Sequence, residues 1–198
     1  MMNHIYHQSQ FGENWFTYPN LYSTFVRELQ DSSTIVEVGC WKGKSISYLA
    51  VEVINSSKNI SIHAVDTWRG SLDEECHRND PAVINNVLYE LFLSNIESVK
   101  QVITPIRMTS VDAAKTYSDE SLDVVFIDAG HSYEAVKEDI LAWYPKVKYG
   151  GYIAGHDYSW SHLNTVKRAV DETLAEFSAS VELETEGCWV HRKAQSSQ

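Results

Sequence analysis

Val36-Glu-Val-Gly39-Cys-Trp-Lys-Gly43-Lys-Ser45 is the stretch that decides the fold. It follows a β-type apolar run, Thr34–Val38, and leads into Ile46, Leu49, Ala50 and Val53 at helical spacing. A strand that turns through glycine into a helix is the first unit of a parallel α/β sheet. Glycine at 39 opens backbone angles closed to other residues and allows close approach of a ligand. Gly43 is expected to let the start of the helix pack tightly against the sheet. The dinucleotide fingerprint is broken, because Trp41 stands where a further glycine belongs, and the P-loop order is not met either. A pyrophosphate therefore has a poor cradle here.

Working outward, the chain repeats this alternation. A helix is expected from about Tyr18 to Gln30, with Leu21, Phe25 and Leu29 on one face. Further strands are expected at 60–65, 102–106, 122–127 and 152–154, the last opened by Gly150-Gly151. Asp80-Pro81 reads as cap and first helical position of a helix that buries Ile84, Val87, Leu88 and Leu91. Helices also follow at Val136, Ile140 and Trp143 and at Val166, Val170, Leu174 and Phe177. Val181–Leu183 and Cys188–Val190 flank Gly187 as a closing hairpin. Five β-α units and a hairpin predict a doubly wound Rossmann-like α/β sheet with one reversed strand. Its ligand belongs beyond the carboxyl ends of the early strands.

The 198 residues suit one domain. A formal net charge of -11 disfavours nucleic acid as a partner, because a phosphate footprint needs a basic patch. No run has the roughly 18 apolar residues of a membrane span, and the N-terminus lacks the pattern of a signal peptide. Three separated cysteines make neither a disulfide framework nor a zinc site, so a reducing, cytoplasmic setting is expected.

The residues themselves suggest the ligand. Asp66, at the end of the second strand, can accept ribose hydroxyls. Ser110, after the third, can help hold an adenine. Glu37 would oppose phosphates and tolerate a cation. Adenine and ribose without a pyrophosphate describe S-adenosyl-L-methionine.

Four segments together resemble one family: residues 37–45, His63-Ala-Val-Asp-Thr-Trp-Arg-Gly70, Phe126-Ile-Asp-Ala-Gly-His-Ser-Tyr-Glu-Ala-Val136 and Gly150-Gly-Tyr-Ile-Ala-Gly-His-Asp-Tyr158. In this order they are similar to class I S-adenosylmethionine-dependent methyltransferases, in the subgroup that contains small-molecule and sugar O-methyltransferases. The resemblance implies strand order 3-2-1-4-5-7-6 with strand 7 antiparallel. The resemblance covers roughly Ile35 to Tyr158, and the domain is expected over 33–193, preceded by an N-terminal helical segment or lid at 1–32 and followed by a disordered tail at 194–198. It also implies a cofactor site of Glu37, Gly39, Gly43, Ser45, Asp66, Thr67, Trp68, Ser110 and Asp128. The subgroup often uses Mg²⁺ or another divalent cation.

Methyl transfer needs an aligned nucleophile and a place for its proton. Asp128 and His131 follow strand four, and His156 and Asp157 follow strand five. Asp128, His156 and Asp157 are suitable ligands for a divalent cation, with His156 in a place where the family more often has an acidic residue. His131 is the expected general base, with an ordinary pKa of about 6.5. Its rival reading is a helix cap paired with Glu134. Trp15, Phe16, Tyr18, Trp68, Arg69, His77, Arg78, Tyr133, Tyr158 and Trp160 are candidates for contact with a small-molecule or glycan acceptor. Exposed aromatics would serve equally at a homodimer contact. Competing functions are an NAD-linked oxidoreductase, a non-catalytic nucleoside-binding module and a metal-dependent hydrolase.

Overall fold

The computed structural model describes residues 1–71, 74–159 and 164–194. Its strands are β1 (Thr34–Val38), β2 (Ser61–Asp66), β3 (Ile103–Arg107), β4 (Leu122–Ile127), β5 (Val147–Gly155), β6 (Leu183–Thr185) and β7 (Cys188–Arg192). They form one sheet in the order β3-β2-β1-β4-β5-β7-β6, in which β1 to β5 run parallel and β7 is antiparallel to both neighbours. This is the expected topology. The hairpin turn carries Glu186 and Gly187 with φ of 53° and 81°, the paired positive angles that suit a two-residue connection between twisted strands. Gly150-Gly151 lies inside β5 and does not open it, and the pairing with β4 shifts there.

Alternation along each strand splits the core into two layers. Ile35 and Val124 face one side and Val36 and Val125 the other. The first layer takes α1 (Pro19–Glu28) and α2 (Lys44–Ser56) through Leu21, Phe25 and Leu49. Three shorter helices follow β2: α3 (Glu75–Arg78), α4 (Pro81–Ile84) and α5 (Leu88–Ile96). The second layer takes α6 (Ser110–Ala114), α7 (Tyr133–Trp143) and α8 (Thr165–Glu176), through Ala113, Ile140, Trp143 and Leu174.

One expectation needs correction. The helix read from Asp80 through Leu91 is two helices. Asp80 does cap the first, accepting from Ala82 N at 2.8 Å. But Asn86 turns left-handed (φ 54°) and Asn85 Nδ2 donates to Pro81 O, a side-chain bond that competes with the helix ladder. Ile84 and Val87 consequently stand exposed, while Leu88 is buried. The segment 1–32 packs on the core of the sheet. Phe16, Tyr18, Tyr22 and Phe25 pack in the same buried cluster as Ile35, Leu49 and Phe126. Of the expected tail, residues 195–198 lie outside the described residues, as does Trp160.

The crossing of β1 and β4 positions everything that follows. Asp128 N donates to Val38 O at 2.8 Å and Gly39 N to Val65 O at 2.9 Å, so the ends of β1, β2 and β4 are tied at one point. A Cβ on Gly39 would lie 2.0 Å from Asp128 O, and its φ is 89°. Gly39→Ala must therefore strain the backbone and push two strand ends apart. It should lose about 2–5 kcal/mol of stability, left-handed strain and overpacking together, measured by urea unfolding. A loss under about 1 kcal/mol would contradict this account of the crossing.

Candidate active site

A cleft of about 680 Å³ opens over the carboxyl ends of the central strands. Its floor is Val38, Gly39, Cys40 and Trp41, with Asp66 and Thr67 after β2 and Met108 and Ser110 after β3. Asp128 to His131 follow β4, and His156 and Asp157 follow β5. The topology thus brings Gly39, Ser45, Asp66, Thr67, Ser110, Asp128, His131, His156 and Asp157 to one cavity.

Asp66 already holds structure there. Its Oδ2 accepts from Cys40 N and Trp41 N at 2.8 and 2.9 Å, and its Oδ1 from Trp68 N at 2.7 Å. Burial pushes its pKa up, and these three N–H groups oppose the rise. The carboxylate therefore anchors the glycine turn and keeps part of its acceptor capacity for a ligand. Ser110 begins α6, and its Oγ accepts from Trp143 Nε1 at 2.9 Å.

Three residues assigned to the cofactor site stand behind it and do not line it. Gly43 packs on α5, where a Cβ would press Ile96 and Phe92 at 3.1 Å; its neighbour is a helix, not the sheet. Trp68 is buried against Tyr89 and Phe92, and its Nε1 donates to Trp41 O at 3.0 Å. Glu37 is fully buried and accepts from Tyr22 Oη at 2.8 Å and Ser45 Oγ at 2.6 Å. Burial pushes its pKa up to about 8 against those two hydrogen bonds. At neutral pH it is mainly a neutral acid, not the standing anion expected from the sequence.

The rim of β4 and β5 is a dense charge cluster. His131 Nδ1 lies 2.6 Å from Glu74 Oε1, and His131 Nε2 lies 2.9 Å from Asp157 Oδ2 and 3.9 Å from Asp128 Oδ1. Nε2 is buried and has no aligned hydrogen-bond partner. Burial would lower this histidine's pKa, but Asp128 and Asp157 outweigh it and hold the ring up at about 11. His131 at rest is thus an imidazolium, which corrects its reading as a base of ordinary pKa. It is not the helix cap either: Ser132 caps α7, accepting from Ala135 N at 3.2 Å.

His156 Nε2 meets Thr17 Oγ1 at 3.0 Å, and its Nδ1 lies 3.3 Å from Asp157 Oδ2 and 3.8 Å from Asp128 Oδ1. Against the effect of burial, Asp157 and Asp128 raise its pKa, and the two imidazoles hold Asp157 well below the usual carboxylate range. Tyr18 Oη donates to Asp128 Oδ2 at 2.8 Å. Among the described residues, Asp128, His131 and Asp157 are the group whose ligand atoms all lie within 4.8 Å of one another. His131 joins the two carboxylates in that group, where His156 was expected. An orphaned imidazole nitrogen facing two carboxylates suits a divalent cation in place of a proton.

Sequence reasoning missed Glu74, Thr17 and the Tyr18–Asp128 bond. It named Trp15 and His77 as acceptor candidates but not Trp41, with which they form the roof of the cleft. Trp41 and His77 stack at 4.1 Å, and Trp15 stands 6.1 and 5.6 Å from them. Of the other acceptor candidates, Phe16 and Tyr18 also reach the cleft wall, while Arg69, Arg78, Tyr133 and Tyr158 are outside its lining. Tyr133 and Tyr158 donate to Glu172 and Asp171 on α8.

A family model for a methyltransferase domain matches residues 36–158. An uncharacterized protein, R132, of Acanthamoeba polyphaga mimivirus is 28% identical over 182 residues, 86% of this chain and 72% of that one. The O-methyltransferase NovP superposes with a TM-score of 0.69 at 20% identity, covering 90% of this chain and 80% of that one. CalS11, a TDP-rhamnose 3'-O-methyltransferase, does so with a TM-score of 0.62 at 15% identity, covering 88% and 76%. Among the described residues, no helix is long and apolar enough to cross a membrane.

The burial of Glu37 has a measurable consequence. Its folded pKa of about 8 lies above the ordinary 4.5, so the folded chain holds a proton that the unfolded chain releases. Its contribution to stability is full below about pH 4.5 and is lost as pH rises toward about 8. Between pH 5 and 8.5 the wild type should lose on the order of a few kcal/mol that Glu37→Gln keeps. Urea unfolding at both pH values checks this, and parallel pH profiles would contradict it.

Proposed function

The chain belongs to the methyltransferase domain family, and from that premise we propose that it transfers a methyl group from S-adenosylmethionine to a hydroxyl of a sugar or other small metabolite. The observation that carries this reading is the continuity of one cleft. The glycine turn and Asp66 stand at one end and the Asp128–His131–Asp157 cluster at the other. The names of NovP and CalS11 support oxygen as the atom methylated.

Gly39, Asp66, Thr67 and Ser110 would hold the donor's nucleoside, and Asp128, His131 and Asp157 a divalent cation. When bound, the donor supplies an electrophilic sulfonium methyl, and the cation supplies Lewis acidity that lowers the pKa of an acceptor hydroxyl. Tyr18, bonded to Asp128 Oδ2, keeps that carboxylate in one orientation. Glu74 orients His131 through Nδ1, as outer partners of ligating imidazoles do. Glu74 is also the carboxylate of this rim not committed to the cation. It lines the cleft, where it would take the acceptor's proton and pass it to water. The pinned strand ends align acceptor oxygen and methyl, and the aromatic roof excludes water. His131 is in this account a ligand that exchanges its proton for a cation; it is not the base.

Two measurements test the halves separately. S-adenosylhomocysteine should bind in calorimetry and NAD should not. Asp66→Asn should weaken the former by about 1–3 kcal/mol, the scale of hydrogen bonds to a charged group. Equal affinities would remove Asp66 from the donor site. Mn²⁺ should bind the EDTA-treated protein, and His131→Ala or Asp157→Asn should weaken it at least about tenfold. Turnover should vanish with EDTA and return with Mg²⁺. Full turnover without a cation would return the proton-accepting role to His131.

A further inference from the structure

The charge and the aromatic roof of the cleft define the acceptor more narrowly. Its described lining carries Glu13, Asp66, Glu74, Asp128 and Asp157 against one lysine, Lys44, the imidazoles of His77, His131 and His156, and no arginine. Lys44 is itself engaged, because its Nζ donates to Glu13 O at 3.0 Å and to Gly12 O at 3.5 Å. With a divalent cation in place of the His131 proton, the five carboxylates still outnumber the ion's two charges, Lys44 and a protonated His156. A phosphate on the acceptor would meet like charge and find no guanidinium or free ammonium to pair with.

The second observation is Trp15. It is 44% exposed at the mouth of the cleft, an unusual place for so large an apolar ring. The faces of Trp41 and His77 cover each other, with ring planes 23° apart, whereas Trp15 meets both only at tilts of 39° and 54°. The strap that carries it is held from several sides. Phe11 is buried, Asn95 Nδ2 donates to Lys42 O at 2.8 Å and reaches Gln10 O at 3.4 Å, and Lys44 ties the carbonyls of Gly12 and Glu13. A fixed, half-exposed indole in the cleft lining, two residues before Thr17, whose Oγ1 meets His156 Nε2 at 3.0 Å, is a stacking platform with little ordering left to do on binding.

We propose that the acceptor is an uncharged, hydroxyl-bearing ring stacked on Trp15, and that phosphorylated and nucleotide-linked acceptors are excluded by the acidic lining. This inference rests on the methyltransferase reading above. It sets the chain apart from CalS11, whose name gives it a nucleotide-linked sugar. The shared chemistry, a neutral ring with a free hydroxyl, is offered by free sugars, by glycosides and by phenols.

The test is methyl transfer from labelled S-adenosylmethionine into one mixed set of free sugars, phenyl glycosides, phenols, sugar phosphates and nucleoside diphosphate sugars. The label in each product is identified by mass spectrometry. Label should enter neutral rings, and each phosphorylated counterpart should react about 100-fold less well or worse, the scale of a like charge placed in a closed site. Which neutral class reacts separates sugars from phenols. For the neutral acceptor that reacts, Trp15→Ala should raise KM on the order of tenfold, the size of one stacked ring contact, and leave S-adenosylhomocysteine affinity unchanged. Preferred labelling of phosphates or nucleotide sugars would overturn the proposal, as would an unchanged KM in Trp15→Ala. Failure of the wild type to bind S-adenosylhomocysteine would take down the methyltransferase reading and this one with it. Donor binding with anionic acceptors preferred would take down this one alone.

Discussion

At Gly39 the backbone passes so close to the carbonyl of Asp128 that no side chain fits between them. That approach makes one cavity out of two strand ends. Val38, Gly39, Val65 and Asp128 exchange hydrogen bonds across β1, β2 and β4. The turn after β1 is then held a second time, by Asp66 accepting from Cys40 N and Trp41 N. A donor proposed to rest on this turn and an acceptor at Asp128 would be placed relative to each other by main-chain geometry, which varies less than side-chain rotamers do. Positioning of that kind is most of what methyl transfer asks of a protein, since the donor brings its own electrophile.

The second organising fact is the number of acids around the cleft and the different state of each. Glu37 is buried and mainly neutral, satisfied by Tyr22 and Ser45. Asp157 is held ionised by two imidazoles, and Asp128 is oriented by Tyr18. The same fold thus offers a neutral wall behind the donor turn and a strongly charged rim a few residues away. Excess carboxylate at the rim costs stability unless a cation occupies it. The proton on His131 supplies one such charge.

Much of this was legible in the sequence. Strand order, the glycine turn and the places of Asp66, Asp128 and Asp157 follow from local rules: apolar runs, a Gly-bearing strand end, and polar residues directly after a buried strand. What was not legible depends on packing between distant segments. Glu74 meets His131 across 57 positions and Tyr18 meets Asp128 across 110, and no periodicity signals either pair. The roof is assembled from Trp15, Trp41 and His77, each in an irregular or short element. The helix misread at 80–91 shows the converse. Its apolar spacing implied one buried face, but the left-handed Asn86 broke the ladder and left Ile84 and Val87 exposed. Glu37 was placed correctly on β1 but misjudged in charge, because complete burial raises its pKa against the hydrogen bonds from Ser45 and from Tyr22, fifteen positions earlier.

The central claim is that a nucleoside donor lies over Gly39 with its reactive end toward the β4–β5 rim. A crystal structure of the chain grown with S-adenosylhomocysteine and Mn²⁺ measures this most directly. The account predicts nucleoside density between Gly39 and Asp66, the ribose within hydrogen-bond reach of the Asp66 carboxylate, and the sulfur directed toward Asp128. It also predicts an anomalous peak among Asp128, His131 and Asp157. Ligand density elsewhere on the molecule, or the same pose with its sulfur turned away from that rim, would contradict it.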